Sequence, residues 1–134
     1  MSDSSPSGAG KVSDSVTTVA ELKRCVQKFV DERNWAKFHD AKNLSMSLAI
    51  EAGELMEHFQ WLRSEQVAEG VGYEPAEVRE ELADVVSYAM ALANALDIDV
   101  ATAIEEKMVK NRLKYPADDP DVRELGRPPA CRKD

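Results

Sequence analysis

Between residue 16 and Pro116 the apolar residues recur at helical intervals and nowhere alternate in the strand pattern. That periodicity confines the chain to an all-α fold. The first helical stretch, about 17–33, places Val19, Leu22, Val26, Phe29 and Val30 at i, i+3, i+4 spacing. A second runs over about 44–63, with Asn43 as its expected N-cap. Pro75 opens a third that reaches Leu96, and Asp99 caps a fourth that must stop at Pro116. Helices of this length with short connections predict an antiparallel four-helix bundle. Asn34–Lys42 is expected to be extended, and Ser64–Glu74 to be a glycine-rich loop. Residues 1–15, rich in Ser, Gly and Asp, read as a disordered leader, and 117–134 as an irregular Pro-rich tail. The catalytic or binding domain is therefore expected within 16–116.

The second stretch carries more than a core face. At about 100° per residue, Leu44, Leu48, Leu55, Phe59 and Leu62 share an arc of about 60°. Glu51 lies at the edge of that arc and Glu54 one step beyond, with His58 between them. The third stretch repeats the arrangement. Val78, Leu82, Val85, Ala89, Leu92 and Leu96 make its stripe, flanked by Glu81 and Asp84 with Tyr88 one turn on. Two acidic ridges on neighbouring antiparallel helices would face each other. Four carboxylates at close range in a low dielectric call for a cation, and hard oxygen donors suit Mg²⁺, with Mn²⁺ as the alternative. Taken as residues alone, the ridges are equally consistent with solvated flanks of amphipathic helices.

The fourth stretch turns Lys107 and Asn111 to the same side as Val100, Ala103, Ile104 and Met108. An inward Lys and Asn need partners. They are either a phosphate clamp or a lysine reaching past the stripe to water. The aromatic residues number only eight. Trp35, Phe38 and His39 lie in the joining segment, beside Lys42, and Trp61 ends the second helix. Together with Tyr88 they could build a flat slot for a nucleobase. Two histidines, neither in a Glu-x-x-His pair, make a ferritin-like oxidase improbable. Two small features stand out: Ala91 and Ala95, behind Tyr88, permit close approach of another helix, either in subunit contact or in tight bundle packing, and Gly53 sits mid-helix opposite the core stripe, either simply tolerated or in close contact with another subunit.

Charge narrows the partners. Lys plus Arg is 17 against 25 for Asp plus Glu, a net charge of −8. Such a chain has no electrostatic footprint for nucleic acid polymers. With a mean hydropathy of −0.43 and no long apolar run, no membrane partner is expected. Two cysteines, Cys25 and Cys131, give no disulfide framework, so a reducing cytoplasmic setting is expected.

Three separated blocks, NWAKFHDAKNLSMSLAIEAGELMEHFQW, EELADVVSYAMALA and KMVKNRLKYP, occur in that order over 34–116. They resemble the MazG-like all-α nucleotide pyrophosphohydrolases, most of all their dCTP pyrophosphatase branch. The resemblance covers about Leu22 to Pro116. It implies a Mg²⁺-dependent enzyme that cleaves a (d)NTP, dCTP or a modified dCTP, between the α and β phosphates in nucleotide-pool house-cleaning. It implies metal roles for Glu51, Glu54, Glu81 and Asp84, with Glu51 or Glu54 as catalytic base. It implies substrate contacts at Trp35, His39, Lys42, Trp61, Tyr88, Lys107 and Asn111, and a homotetramer built as a dimer of dimers. Val26, Ala41-Lys42 and His58 stand where vertebrate dCTP-preferring members typically have His, Pro-Arg and Leu. These departures bear on the base rather than the reaction. A dUTPase-like or broad dNTP pyrophosphatase is the alternative within the class, and a non-catalytic helical interaction module the alternative outside it.

Overall fold

The computed structural model of the chain describes residues 10–127. Most of the expected leader and Cys131 lie outside the described residues. Among those described, the regular structure is all helical. The chain divides into two compact units, Met1–Asp97 and Ile98–Asp134.

In the first unit, α1 (Val19–Glu32) starts at a capping box. The Glu21 amide donates to the Thr18 hydroxyl at 3.2 Å, and the Thr18 amide donates to Glu21 Oε2 at 2.7 Å. The reciprocal pair satisfies two amides that a bare helix start leaves open. These hydrogen bonds also hold the Glu21 carboxyl below its usual range, the Thr18 backbone contributing most. After α1 the chain is not extended, as the sequence had suggested. Asn34 turns it with a φ of 52°, and Ala36–Phe38 form one 3₁₀ turn.

α2 (Ala41–Glu57) begins three residues earlier than expected, because Asp40 and not Asn43 is its cap. Asp40 Oδ1 accepts from the Asn43 amide at 2.8 Å, while the Asn43 side chain donates back to the Phe38 carbonyl at 3.0 Å. The helix ends at Glu57, and the chain then turns through Leu62. The glycine-rich loop holds a short helix of its own, α3 (Ser64–Ala68). Gly72 closes that loop with φ 91°, a left-handed conformation that favours glycine, and a Cβ there would press on the Leu62 side chain, 2.6 Å from Cδ2.

α4 (Pro75–Ala95) is the longest element and starts at Pro75 as expected. α2 and α1 both pack on it. Residue pairings such as His58 with Glu77 and Glu51 with Asp84 run in opposite senses along the two helices, so α2 and α4 are antiparallel. α1 crosses α4 at Ala91, which is buried, and the Asn94 side chain donates to the Lys23 carbonyl at 2.9 Å. The small residue at 91 therefore serves packing within the chain, as one of the two expected uses had it. Ala95 is exposed.

The second unit holds α5 (Val100–Lys114) and α6 (Pro120–Leu125). Asp99 caps α5 through the Thr102 amide at 2.8 Å, and the helix stops two residues short of Pro116. The stretch expected to be an irregular tail thus contains a helix, started by Asp119 and ended by Gly126 at φ 61°. Pro at a helix's first position and a left-handed Gly at its end are the local signals that form it.

The hydrophobic residues buried among those described are few: Val30, Leu44, Ala91 and Ala93. Large apolar side chains on α1, α2, α4 and α5 remain open. No single described helix is long and apolar enough to cross a membrane.

Candidate active site

The packing of α2 on α4 sets the acids. Glu51 projects from α2 and Glu81 and Asp84 from α4, and each offers a carboxylate oxygen within 4.8 Å of the others. Glu54, one turn along α2, lies within hydrogen-bonding reach of both Glu51 and Glu81. Carboxylates hydrogen-bond one another only by sharing a proton. Accordingly, the Glu51 carboxyl is pushed up from its usual range, first by burial and then by the charges of Glu54, Asp84 and Glu81. The Glu81 carboxyl is also pushed up, first by burial and then by Glu54 and Asp84, with His58 opposing. Glu81 Oε2 is buried with no hydrogen-bond partner among the described residues. An acceptor in that position costs stability unless something positive completes it.

These features fit a hard divalent cation. All the donors are carboxylate oxygens. An ion with Mg²⁺ distances of about 2.0–2.1 Å needs its ligand oxygens no more than roughly 4.2 Å apart. The 4.8 Å within which the three oxygens lie stands about 0.6 Å above that limit.

Beside the acids a cavity of about 420 Å³ opens between α1 and α4. Glu51 and Asp84 form its acidic end. Phe29 and Trp35 stand edge to face at 5.7 Å, and Trp35 tilts toward His39 at 6.2 Å. Tyr88 and Ser87 complete the α4 wall, and Val26, Val30 and Ala91 line the apolar part. The size and lining suit a ligand with one flat apolar part and one anionic, metal-bridged part.

Of the residues singled out in the sequence, the structure gathers Glu51, Glu54, Glu81, Asp84, Trp35, His39 and Tyr88 around this one place. Lys42 and Trp61 are not among the cavity-lining residues. Lys42 is exposed on the first turn of α2, and Trp61 is 86% exposed in the turn that follows that helix. Lys107 and Asn111 lie on α5 in the second unit, Lys107 exposed and Asn111 half-buried. Sequence reasoning missed Phe29 and Cys25 as cavity residues. Phe29 carried a signal, its place on the apolar stripe of α1, but a stripe does not say whether the space it faces is filled. His58 sits at the edge, with Nδ1 3.9 Å from Glu77 Oε2.

Comparison with known proteins gives this geometry relatives. The chain is 39% identical to the dCTP pyrophosphatase 1 of Homo sapiens over 103 residues, which are 75% of this chain and 60% of that one. It is 36% identical to the dCTP pyrophosphatase 1 of Rattus norvegicus over 118 residues, 86% of this chain and 65% of that one. The chain thus spans somewhat under two thirds of these curated relatives. The crystal structure of a pyrophosphatase from Archaeoglobus fulgidus superposes with a TM-score of 0.70 at 39% identity, covering 79% of this chain and 99% of that one. Residues 46–125, more than half the chain and all four acids, match the family model described as MazG-like. The chain belongs to the MazG-like family.

Proposed function

We propose that this chain is a Mg²⁺-dependent nucleoside triphosphate pyrophosphohydrolase acting on dCTP or a modified dCTP, with residues 16–116 as its catalytic domain. The observation that carries the reading is the carboxylate cluster of Glu51, Glu81 and Asp84 at the mouth of an aromatic-walled cavity. The curated relatives are named dCTP pyrophosphatase 1, which supports the substrate class.

Mg²⁺ held by Glu51, Glu54, Glu81 and Asp84, with Mn²⁺ as a substitute, supplies neutralisation of charge on the triphosphate. The residues of the chain do the rest. Trp35, with His39 and Phe29, takes one face of the base, and Tyr88 bounds the sugar. Lys42, Trp61, Lys107 and Asn111 contribute further contacts to base, sugar and phosphates. A water oxygen attacks the α phosphorus, the bond from that phosphorus to the bridging α–β oxygen breaks, and pyrophosphate leaves. Glu54 or Glu51 takes the proton of the attacking water. The products are a nucleoside monophosphate and pyrophosphate.

The open apolar surfaces support assembly, with a dimer of dimers as the proposed form, and the −8 charge makes nucleic acid polymers poor partners. A cytoplasmic setting suits the nucleotide pool as substrate. The test is turnover of dCTP, 5-methyl-dCTP, dUTP, dTTP and the purine triphosphates side by side, for the wild type and for Glu51→Gln/Asp84→Asn. The reading requires dCTP or its 5-methyl form to lead and the double variant to lose turnover. Equal rates on every base would leave a broad dNTP pyrophosphatase, and no turnover of any would leave a helical interaction module.

A further inference from the structure

The seam between α2 and α4 is a ladder. Glu51 faces Asp84, Glu54 reaches Glu81, and His58 faces Glu77. His58 keeps helical dihedrals, φ −63° and ψ −23°, so it stays on the side of α2 that carries Glu51 and Glu54. The two ends of the ladder differ. Glu51 and Asp84 line the aromatic cavity, whereas Glu54, Glu81 and His58 are not among its lining residues. His58 closes the other end, about 10 Å of helix axis beyond Glu51.

The contact with Glu77 does not use up the imidazole. Its Nδ1 is 3.9 Å from Glu77 Oε2, beyond hydrogen-bond length, and that glutamate side chain is 66% exposed. Such a pair contributes little to stability. The His58 side chain is nevertheless only 19% exposed, and its charge opposes the rise of the Glu81 carboxyl. A half-buried imidazole therefore stands beside the acid ridge at the end away from the cavity.

We infer that His58 is a phosphate contact, donating an N–H to the outer phosphates of the nucleotide, the pair that leaves as pyrophosphate. The inference rests on the reading of the chain as a nucleoside triphosphate pyrophosphohydrolase and adds the direction in which the substrate lies. A nucleotide whose base fills the aromatic cavity meets Glu51 and Asp84 with its α phosphate. The remaining phosphates then run along the ridge past Glu54 and Glu81, because the carboxylates that hold charge-neutralising cations stand there. They end at His58, where a hydrogen bond to a phosphate oxygen is charge-assisted. A triphosphate gains a contact there that a monophosphate cannot make, so the site favours intact substrate over its nucleotide product.

Binding of the two products separates the ends of the ladder. In calorimetry with Mg²⁺ present, His58→Leu should bind pyrophosphate about tenfold or more weaker than the wild type, the loss expected for a hydrogen bond to a charged group, and dCMP within about twofold of it. His58→Gln keeps an N–H donor and should bind pyrophosphate more tightly than His58→Leu. The wild type gives an independent measurement, since the chain has only two histidines, His39 in the cavity and His58 on the ridge. In NMR of the imidazole protons, pyrophosphate with Mg²⁺ should shift the His58 signal and dCMP the His39 signal. Unchanged pyrophosphate affinity in His58→Leu, an equal loss of dCMP, a His58→Gln protein as weak as His58→Leu, or a pyrophosphate that shifts only His39 overturns the assignment. Turnover of no nucleotide, with pyrophosphate binding still dependent on His58, overturns the pyrophosphohydrolase reading and leaves the phosphate contact. Normal turnover with pyrophosphate binding independent of His58 does the reverse.

Discussion

Asp84→Asn separates a metal site from a solvated acidic flank. Glu51, Glu81 and Asp84 put three carboxylate oxygens within 4.8 Å. The substitution removes one charged ligand while keeping nearly the same volume. Suppose the wild-type protein is given Mg²⁺ or Mn²⁺ at about a hundredfold its own dissociation constant. Mass action then adds about 2.7 kcal/mol to stability. In a chain of this length that is a rise in Tm on the order of 10 °C. Loss of a second-shell partner of a metal ligand already weakens metal binding about 10–100-fold, and loss of a ligand does at least as much. At a hundredfold loss the same metal concentration adds only about 0.4 kcal/mol, roughly 1–2 °C. Without metal the sign reverses. Asp84→Asn relieves the crowding that raises the Glu51 and Glu81 carboxyls, so the metal-free variant melts at or above the wild type. The assay is thermal melting after chelation, with and without metal, for both proteins. A variant that keeps the full metal-dependent rise, or one that melts lower than the wild type without metal, refutes the reasoning.

Three further outcomes follow from the same geometry. The folded protein holds the Glu51 and Glu81 carboxyls above their ordinary 4.5, so it binds their protons more tightly than the unfolded chain does. Their contribution to stability is present below about pH 4.5 and lost as pH rises through the folded values. Chelated wild-type protein should therefore lose stability between pH 4.5 and neutrality more steeply than Glu51→Gln/Glu81→Gln, and parallel urea-denaturation profiles would contradict this. Trp35→Ala should raise the KM for the nucleotide by roughly 5- to 150-fold, since aromatic–base stacking is worth about 1–3 kcal/mol; an unchanged KM would remove Trp35 from the slot. Leu44→Ala empties the most deeply buried described position and should cost about 2–5 kcal/mol in chemical denaturation, whereas a loss under 1 kcal/mol would mean that the α2–α4 contact is loosely packed.

What the sequence made legible was local. The long helices α1, α2, α4 and α5 are each written in apolar spacing and in starts such as Pro75 and Asp99. The acids were legible for the same reason, because i, i+3 spacing fixes a shared side on any helix and two such ridges needed only antiparallel neighbours. The α2 cap was misassigned because Asp40 and Asn43 are both good capping types, and the choice was made by how far the 3₁₀ turn had already wound the chain. That turn has three residues, too few to show a period. The cavity wall was the least legible part. Val30 read as core and is buried, but Val26 and Phe29 on the same stripe line open space, since periodicity reports which side is apolar and not what lies against it. Periodicity says as little about Trp61, which could be read as base contact, core or interface; the turn after α2 leaves it exposed rather than in the core.

The position of the broken bond tests the central claim most directly. Purified protein with Mg²⁺ and dCTP in ¹⁸O-labelled water, resolved by mass spectrometry, should yield dCMP carrying one labelled oxygen together with unlabelled pyrophosphate. Label in the pyrophosphate, release of orthophosphate with dCDP, or the same product without Glu51 and Asp84 would contradict the account.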